Sequence, residues 1–287
     1  MSSDPALILN RQRDRSRPAH PLLTLKSLLP AIAIVLLVLI AIAPYWFTHS
    51  LPDDMDMEAI LQPPSLHHWF GTDALGRDVY TRVIYGSALS LSIGVGATLI
   101  AGCGGILLGV IASLGPRPIR FMVVRLLDIL LAFPELLLAL LVIAVLGRGP
   151  SNTLLAVGLS GIAGYARLLR SQILQVRLSG YVQQAIALGE TPFTIIMRHI
   201  IPNSLRPLLI VLTIGIGQAV LSASALSFLG LGVVPPTAEW GALLADGRDF
   251  LDIAPWISLL PASVVALSVI ALTLAGRRLQ SIASKGA

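Results

Sequence analysis

Few side chains in this 287-residue chain are equipped for chemistry, and those few are scattered. Glu135 follows Pro134 about ten residues into an otherwise apolar run and is the deepest charge in the sequence. A carboxylate at that depth is a functional candidate by default, because charge is expensive in hydrocarbon. Two readings of it stand level: a role in a solute path, or contact with a water-filled cavity or a neighbouring subunit. Asp128 lies three residues after Arg125 and can pair with it along one helix face. His67-His68 suggests a metal pair, but adjacent histidines without a third ligand at helical or hairpin spacing favour an ordinary surface pair. All five histidines (His20, His49, His67, His68 and His199) fall outside the apolar runs or at their ends, which leaves a Ser/His site inside those runs without its base. Cys103 is the only cysteine, so neither an intrachain disulfide nor a cysteine-based metal cluster can form. No Gly-x-x-x-x-Gly-Lys-Ser/Thr loop is present to hold ATP. The chain reads as a non-enzyme with no cofactor or metal of its own.

The elements that must position these groups follow from composition. Hydrophobic residues make up 55% of the chain and charged residues 12%, about half the charge of a soluble domain. Mean hydropathy is +0.83. The chain is therefore expected to be an all-α polytopic membrane protein. A bilayer core takes about 20 apolar residues per helix. Long charge-free intervals, from Lys26 to Asp53, Arg82 to Arg117, Arg148 to Arg167, Arg206 to Glu239 and Asp252 to Arg277, mark five spans. The densely apolar stretch Phe121–Leu146 makes a sixth. The expected helices are 22–46, 86–113, 121–146, 152–172, 207–230 and 256–275. Gly105 and Gly109 fit the G-x-x-x-G spacing that lets helices approach closely. Among the few polar groups inside these spans, Glu135, Gln218, Ser222 and Ser224 are candidates to line a path.

Basic residues orient the bundle. With both termini and the 115–120 and 170–206 loops in the cytoplasm, sixteen Lys and Arg residues fall inside and four (Arg77, Arg82, Arg148 and Arg248) outside. The net charge of +5 and pI near 9.9 thus report topology, and a nucleic-acid partner is unnecessary. The Arg-rich start and Ala41-Ile42-Ala43 resemble a cleavable signal, but the apolar run is longer than such a signal needs. Cleavage would also leave five spans and break the charge count.

The 170–206 stretch is the most informative. Ser179 is placed to cap a short helix that Gly189 ends in the left-handed conformation. Thr191 and Pro192 then start a second helix, and Pro202 is expected to close it. Tyr181, Ala185 and Leu188 form an apolar face on the first helix, and Phe193, Ile196, Met197 and Ile200 form one on the second. This elbow is too short and interrupted to span a membrane and not basic enough to lie on one. Its spacing favours docking in a groove of another protein.

Tyr181-Val-Gln183-Gln184-Ala185-x-x-x-Gly189 through Ile201-Pro202-Asn203 resembles the EAA loop of ABC-importer permeases, with Gln183-Gln184-Ala185 where the family reads Glu-Ala-Ala. Gly71-Thr72-Asp73-Ala-Leu-Gly76-Arg77-Asp78, preceded by His68-Trp69-Phe70 and followed by Arg82-x-x-Tyr85-Gly-Ser, and Ser227-Phe-Leu-Gly-Leu-Gly232 through Pro236 and Trp240-Gly are similar to hallmarks of dipeptide, oligopeptide and nickel permeases. The loop at 115–120 lacks the usual Phe-Gly-Gly turn, and the tail lacks the usual Gly-Asp-x-Leu-Arg-Asp. Read without the family, Gly71–Asp78 is a structural turn in which Arg77 pairs with Asp73 or Asp78, and Trp69, Phe70 and Trp240 are interfacial anchors.

The resemblance implies a type I ABC importer (MetI-like) permease with six transmembrane helices, of the second, "C"-type subunit. It implies a cytoplasmic tail at 1–21, a permease domain at 22–275 and a cytoplasmic tail at 276–287. Within the domain it implies extracytoplasmic loops at 47–85 and 231–255 and a coupling loop at 173–206. Such a subunit forms half of a path for dipeptides, oligopeptides or a related small solute in the bacterial inner membrane. Its partners would be a homologous permease, two cytoplasmic ATPases carrying ATP and Mg, an extracytoplasmic binding protein and membrane lipid. The same machinery importing nickel or a metal–chelator complex is an alternative. A stand-alone secondary transporter is another, but it leaves the elbow unexplained.

Overall fold

The computed structural model describes residues 21–285; the expected N-terminal tail falls almost wholly outside them. Among the described residues nine helices follow one another: α1 (Pro21–Ile42), α2 (Val79–Leu114), α3 (Arg117–Leu131), α4 (Glu135–Leu146), α5 (Pro150–Arg177), α6 (Gly180–Ala187), α7 (Pro192–Phe228), α8 (Trp240–Asp246) and α9 (Trp256–Lys285). Short 3₁₀ turns lie at Pro44–Trp46 and Arg248–Phe250. Among the described residues the only β pairing is one isolated bridge between Thr72 and Asp78.

Three of these helices, Val79–Leu114, Pro192–Phe228 and Trp256–Ser281, are long and apolar enough to cross a membrane, and Leu29–Ile42 is a shorter apolar stretch. The expected straight span 121–146 is instead two helices, α3 and α4, bent by 96°. Pro134 causes the break: it has no N–H to donate and keeps Phe133 out of the α region. Helix α5 is 28 residues long, but Asn152, Tyr165, Arg167 and Arg170 lower its hydropathy. Helix α2 starts at Val79 rather than at 86, because the side chain of Asp78 accepts the Thr81 N–H at 2.7 Å and caps it.

The bundle is centred on α2, α5 and α7, with α4 joining through Ala139 and Ile143 in a cluster with Ile93, Ala97, Ala156, Val157 and Ala223. Close approach of α2 to α5 depends on Gly105 and Gly109. A Cβ on Gly105 would stand 2.5 Å from the Tyr165 Cβ, and one on Gly109 would stand 2.9 Å from the Ala166 carbonyl oxygen. The G-x-x-x-G spacing therefore has a definite partner face.

One end of the bundle is closed by residues 43–78 and 229–255. Gly71 and Gly76 take φ of +71° and +72°, as the tight turn requires. Asp73 accepts the backbone N–H groups of Leu75 and Arg77 and meets the Arg77 guanidinium at 2.7 Å. Of the two partners open to Arg77, then, Asp73 takes it. Asp78 caps α2 and lies 2.9 Å from His68 Nδ1. Thr72 accepts the Gln62 N–H and donates to the Ala59 carbonyl, and its own carbonyl accepts the Trp256 indole N–H at 3.2 Å. The motif is a closed turn bonded to α9.

Arg82 and Glu239 lock this end. Arg82 is fully buried and donates to the carbonyls of Pro52 and Pro236, each at 3.1 Å, and to Asp53 at 3.3 Å. Asp73 and Asp246 stand 3.9 and 3.8 Å from its guanidinium. Burial pushes the Asp246 carboxyl above its ordinary range; Arg82 and Arg77 pull it down, and Asp73 adds to the rise. Glu239 is also buried: it accepts the N–H groups of Gly241 and Ala242, each at 2.9 Å, and the Ser90 hydroxyl at 3.2 Å. It therefore caps α8. Trp240, expected at the membrane interface, is 1% exposed and donates its indole N–H to the Val83 carbonyl at 3.0 Å. Capping at Glu239 turns the tryptophan inward between α2 and α9. Trp69 does stay exposed, against Tyr80 with ring centroids 5.0 Å apart.

Two stability predictions follow from these contacts. Gly105→Leu should force α2 from α5 at a cost of about 1–3 kcal/mol, read as a lower unfolding temperature in detergent. Gly164→Ala, where a Cβ meets nothing within 4 Å, should leave that temperature unchanged. Glu239→Ala strands buried donors at the start of α8 and should cost about 2 kcal/mol or more; an unshifted unfolding temperature would remove Glu239 as the lock.

Candidate functional site

At the other end, the chain turns through the elbow. Helix α6 finishes at Ala187, and Gly189 takes φ of +81°. The Gly189 N–H bonds the Ile186 carbonyl at 3.0 Å, and the Glu190 N–H bonds the Ala185 carbonyl at 3.1 Å. These are the paired bonds of a Schellman ending. Thr191 accepts the Thr194 N–H at 3.3 Å, and Pro192 occupies the first turn of α7. Ser179 does not cap α6: its hydroxyl donates back to the Val176 carbonyl at 2.6 Å, so it belongs to the end of α5.

Pro202 does not end the second helix. The chain winds a π-helical turn over Ile195–Ile200 and continues without interruption to Phe228. The Ile201 N–H reaches back five residues to the Ile196 carbonyl, so the proline enters just after a re-registered turn. Asn203 donates its side-chain amide to the His199 carbonyl at 2.6 Å, satisfying an acceptor there.

The apolar side chains of the elbow divide between two faces. Val182 and Ala185 of α6 and Ile195 and Ile200 of α7 point inward, packed on Leu169, Ile173 and Leu208. Tyr181, Leu188, Phe193 and Met197 point outward, with Leu188 84% and Phe193 70% exposed. The expected faces are thus split: Ala185 and Ile200 fasten the elbow, Ile196 is half-buried, and the others form an unpartnered apolar knuckle. Gln183 and Gln184 are exposed beside it, Gln183 donating to the Arg177 carbonyl at 3.1 Å. Ile201 is half-buried and Pro202 exposed. His199 meets Glu190 at 3.0 Å and clasps the two arms. That contact has no periodic signature in the sequence.

Midway along the bundle lies a cavity of about 340 Å³ between α2, α4, α5 and α7, where Glu135 and Gln218 meet Thr98, Gly161 and Tyr165. Glu135 is not part-way along a helix as expected but opens α4 directly after the bend. Ser222 is buried, and Ser224 lines a separate apolar groove with Leu244 and Val265. Neither joins the cavity. Tyr165 and Thr98 went unnoticed in the sequence, where only the interruption of apolar runs marks them. Asp128 meets Arg125 as expected, at 3.9 Å, and Arg167 more closely, at 3.4 Å. Among the described residues no group of three or more metal-ligating side chains occurs, and the His67-His68 pair is divided, with His68 held by Asp78.

With this geometry in view, likeness to known proteins can be weighed. Residues 105–286 match the family described as binding-protein-dependent transport system inner membrane component. The dipeptide transport system permease protein DppC of Alkalihalophilus pseudofirmus is 41% identical over 245 residues, covering 85% of this chain and 81% of that one. The glutathione transport system permease protein GsiD of Escherichia coli is 38% identical over 247 residues, covering 86% and 82%. Among solved structures, an inward-facing MetNI methionine ABC transporter chain superposes with a TM-score of 0.57 at 16% identity, covering 70% of this chain and 96% of its own. A chain of an amino acid ABC transporter with histidines gives 0.57 at 20% identity, covering 72% and 95%. These two likenesses concern fold alone. The family match and the close relatives together establish that this chain belongs to the binding-protein-dependent transport system inner membrane component family, as a permease subunit of an ABC importer.

Proposed function

We propose that the chain forms half of an inner-membrane path for dipeptides or similarly small peptides, driven by separate ATPases that dock on the elbow. The observation that carries this reading is the outward knuckle of Tyr181, Leu188, Phe193 and Met197 on a firmly packed base. Exposed apolar side chains grouped on two short helices are a surface for another protein's groove. A sequence without a phosphate-binding loop leaves ATP and Mg to those ATPase partners. The remaining partners in this reading are a second, homologous permease and an extracytoplasmic binding protein that hands over the solute. The elbow and both termini then lie in the cytoplasm, and the end locked by Arg82 and Glu239 faces outward, as the distribution of Lys and Arg requires. Relatives named for dipeptides and for glutathione support a peptide cargo over nickel or a metal–chelator complex.

Docking tolerates little change at the hinge. A β-branched residue at Gly189 must adopt the left-handed conformation at a cost of about 1–2 kcal/mol. Gly189→Val should therefore reduce co-purification of the ATPases, whereas Gly189→Asn should retain it. Equal recovery from both variants would remove the hinge role. In a Cys103→Ala background, a membrane-impermeant thiol reagent added to intact cells should label Ile60→Cys and spare Glu190→Cys; the opposite pattern would invert the topology. Proteoliposomes holding the full set of partners should accumulate labelled alanyl-alanine only with ATP and the binding protein. Uptake by this chain alone would overturn the reading.

A further inference from the structure

The cavity holds a carboxylate that none of the described residues neutralises. Glu135 forms no ion pair or hydrogen bond with the described residues, although Asp128, seven positions away, is met by two arginines. Glu135 is itself exposed, but the helix face that carries it turns inward. Glu135, Ala139 and Ile143 lie on one stripe of α4, and Ala139 and Ile143 are buried in the core. The stripe points into the bundle, and its first member opens onto the cavity. Gly161 of α5 is its neighbour: a Cβ built there would lie 3.6 Å from Glu135 Oε1, an ordinary contact distance. The cavity is also lined by the Tyr165 phenol, the Gln218 amide and Thr98, with the remainder of the wall supplied by Ala, Val, Leu, Ile and Gly. The lining from α2, Ala97 to Ala101, falls at the middle of that 36-residue helix, so the carboxylate stands near mid-depth. A lone anion there, beside neutral hydrogen-bonding groups and in low-dielectric walls, favours a cation strongly over an anion.

We infer that Glu135, with Tyr165 and Gln218, forms a subsite for a positively charged amine on the solute as it passes through the bundle. The inference rests on the solute-path reading above and narrows the cargo to molecules carrying an ammonium group. Tyr165 and Gln218 supply neutral hydrogen-bonding partners, and Glu135 supplies the charge.

The test separates the subsite from the cargo. In the complete transporter, with Cys103→Ala, Gly164→Cys places a thiol in the cavity wall at a position with open space around it. Its rate of modification is measured with a trimethylammonium-bearing and with a sulfonate-bearing thiosulfonate. The cationic reagent should react about tenfold faster relative to the anionic one than it does with a free thiol in solution. Glu135→Gln should bring that ratio to the solution value, and Glu135→Asp should restore it. Gln218→Lys, which sets a cation beside the carboxylate, should collapse the ratio too and serves if Glu135→Gln does not assemble. An unchanged ratio in these variants, or no preference with Glu135 present, overturns the subsite; the latter is the outcome if the second permease already supplies a cation to Glu135. In parallel, ATP-driven uptake of alanyl-alanine should fall at least tenfold in Glu135→Gln and recover in Glu135→Asp. A cation preference without any wild-type uptake of alanyl-alanine would dismiss the peptide cargo and keep the subsite. Equal uptake by wild type and Glu135→Gln would dismiss the subsite and keep the cargo.

Discussion

The unbroken backbone of α7 is the constraint on which the rest of the molecule depends. It runs 37 residues from Pro192 to Phe228 and carries Pro202 and Pro207 without breaking. An interior proline removes one hydrogen bond and crowds the preceding turn. Here the π turn ahead of Pro202 absorbs the disturbance, and Asn203 satisfies a carbonyl beside it. One rod therefore has its foot in the elbow, its middle in the cavity wall at Gly215 and Gln218, and its far end against α8. A displacement at the foot cannot be absorbed locally, because Ile195, Ile200 and Leu208 pack on α5 through Leu169 and Ile173. Two rigid bodies sharing a cavity are what a two-state transporter needs.

The two ends of the bundle are built on opposite principles. The end closed by residues 43–78 and 229–255 is locked by polar groups taken out of water. Arg82 joins three chain segments, and Glu239 caps α8 from inside the core. Such networks are specific because every partner must be present. The elbow end is held by apolar contacts under a glycine hinge and by a part-buried clasp between Glu190 and His199. It can shift without stranding buried charge. The contrast fits the proposal that the elbow is the moving part, with the opposite end keeping its shape.

The sequence made the membrane character, the elbow and the turn at Gly71–Asp78 legible, because each depends on local rules: apolar run length, left-handed glycine and capping. It concealed whatever depends on distant partners. Arg82 stood out only as part of a family hallmark and Glu239 read as an ordinary loop charge, since nothing nearby in sequence announces Pro236 or Ser90 as their contacts. Trp240 read as an interfacial anchor because aromatic placement statistics do not register a cap one residue earlier. Phe121–Leu146 read as one rod although Pro134 stood in it; run length outweighed the proline where the proline should have won. Helical spacing misassigned Ile200 because a π turn changes the period on which the spacing argument relies, and it misassigned Ala185 because that residue packs inward beside Val182. Glu135 was noticed for its charge alone, and only the three-dimensional neighbours gave it a setting.

The bare apolar knuckle also bears on how the protein is made. A copy synthesised in excess of its companions displays Leu188 and Phe193 to the surrounding water with nothing to shield them. Exposed greasy patches of this kind are what chaperones and quality-control proteases bind. An uncovered copy therefore carries a patch prone to aggregation, which a covering protein would remove.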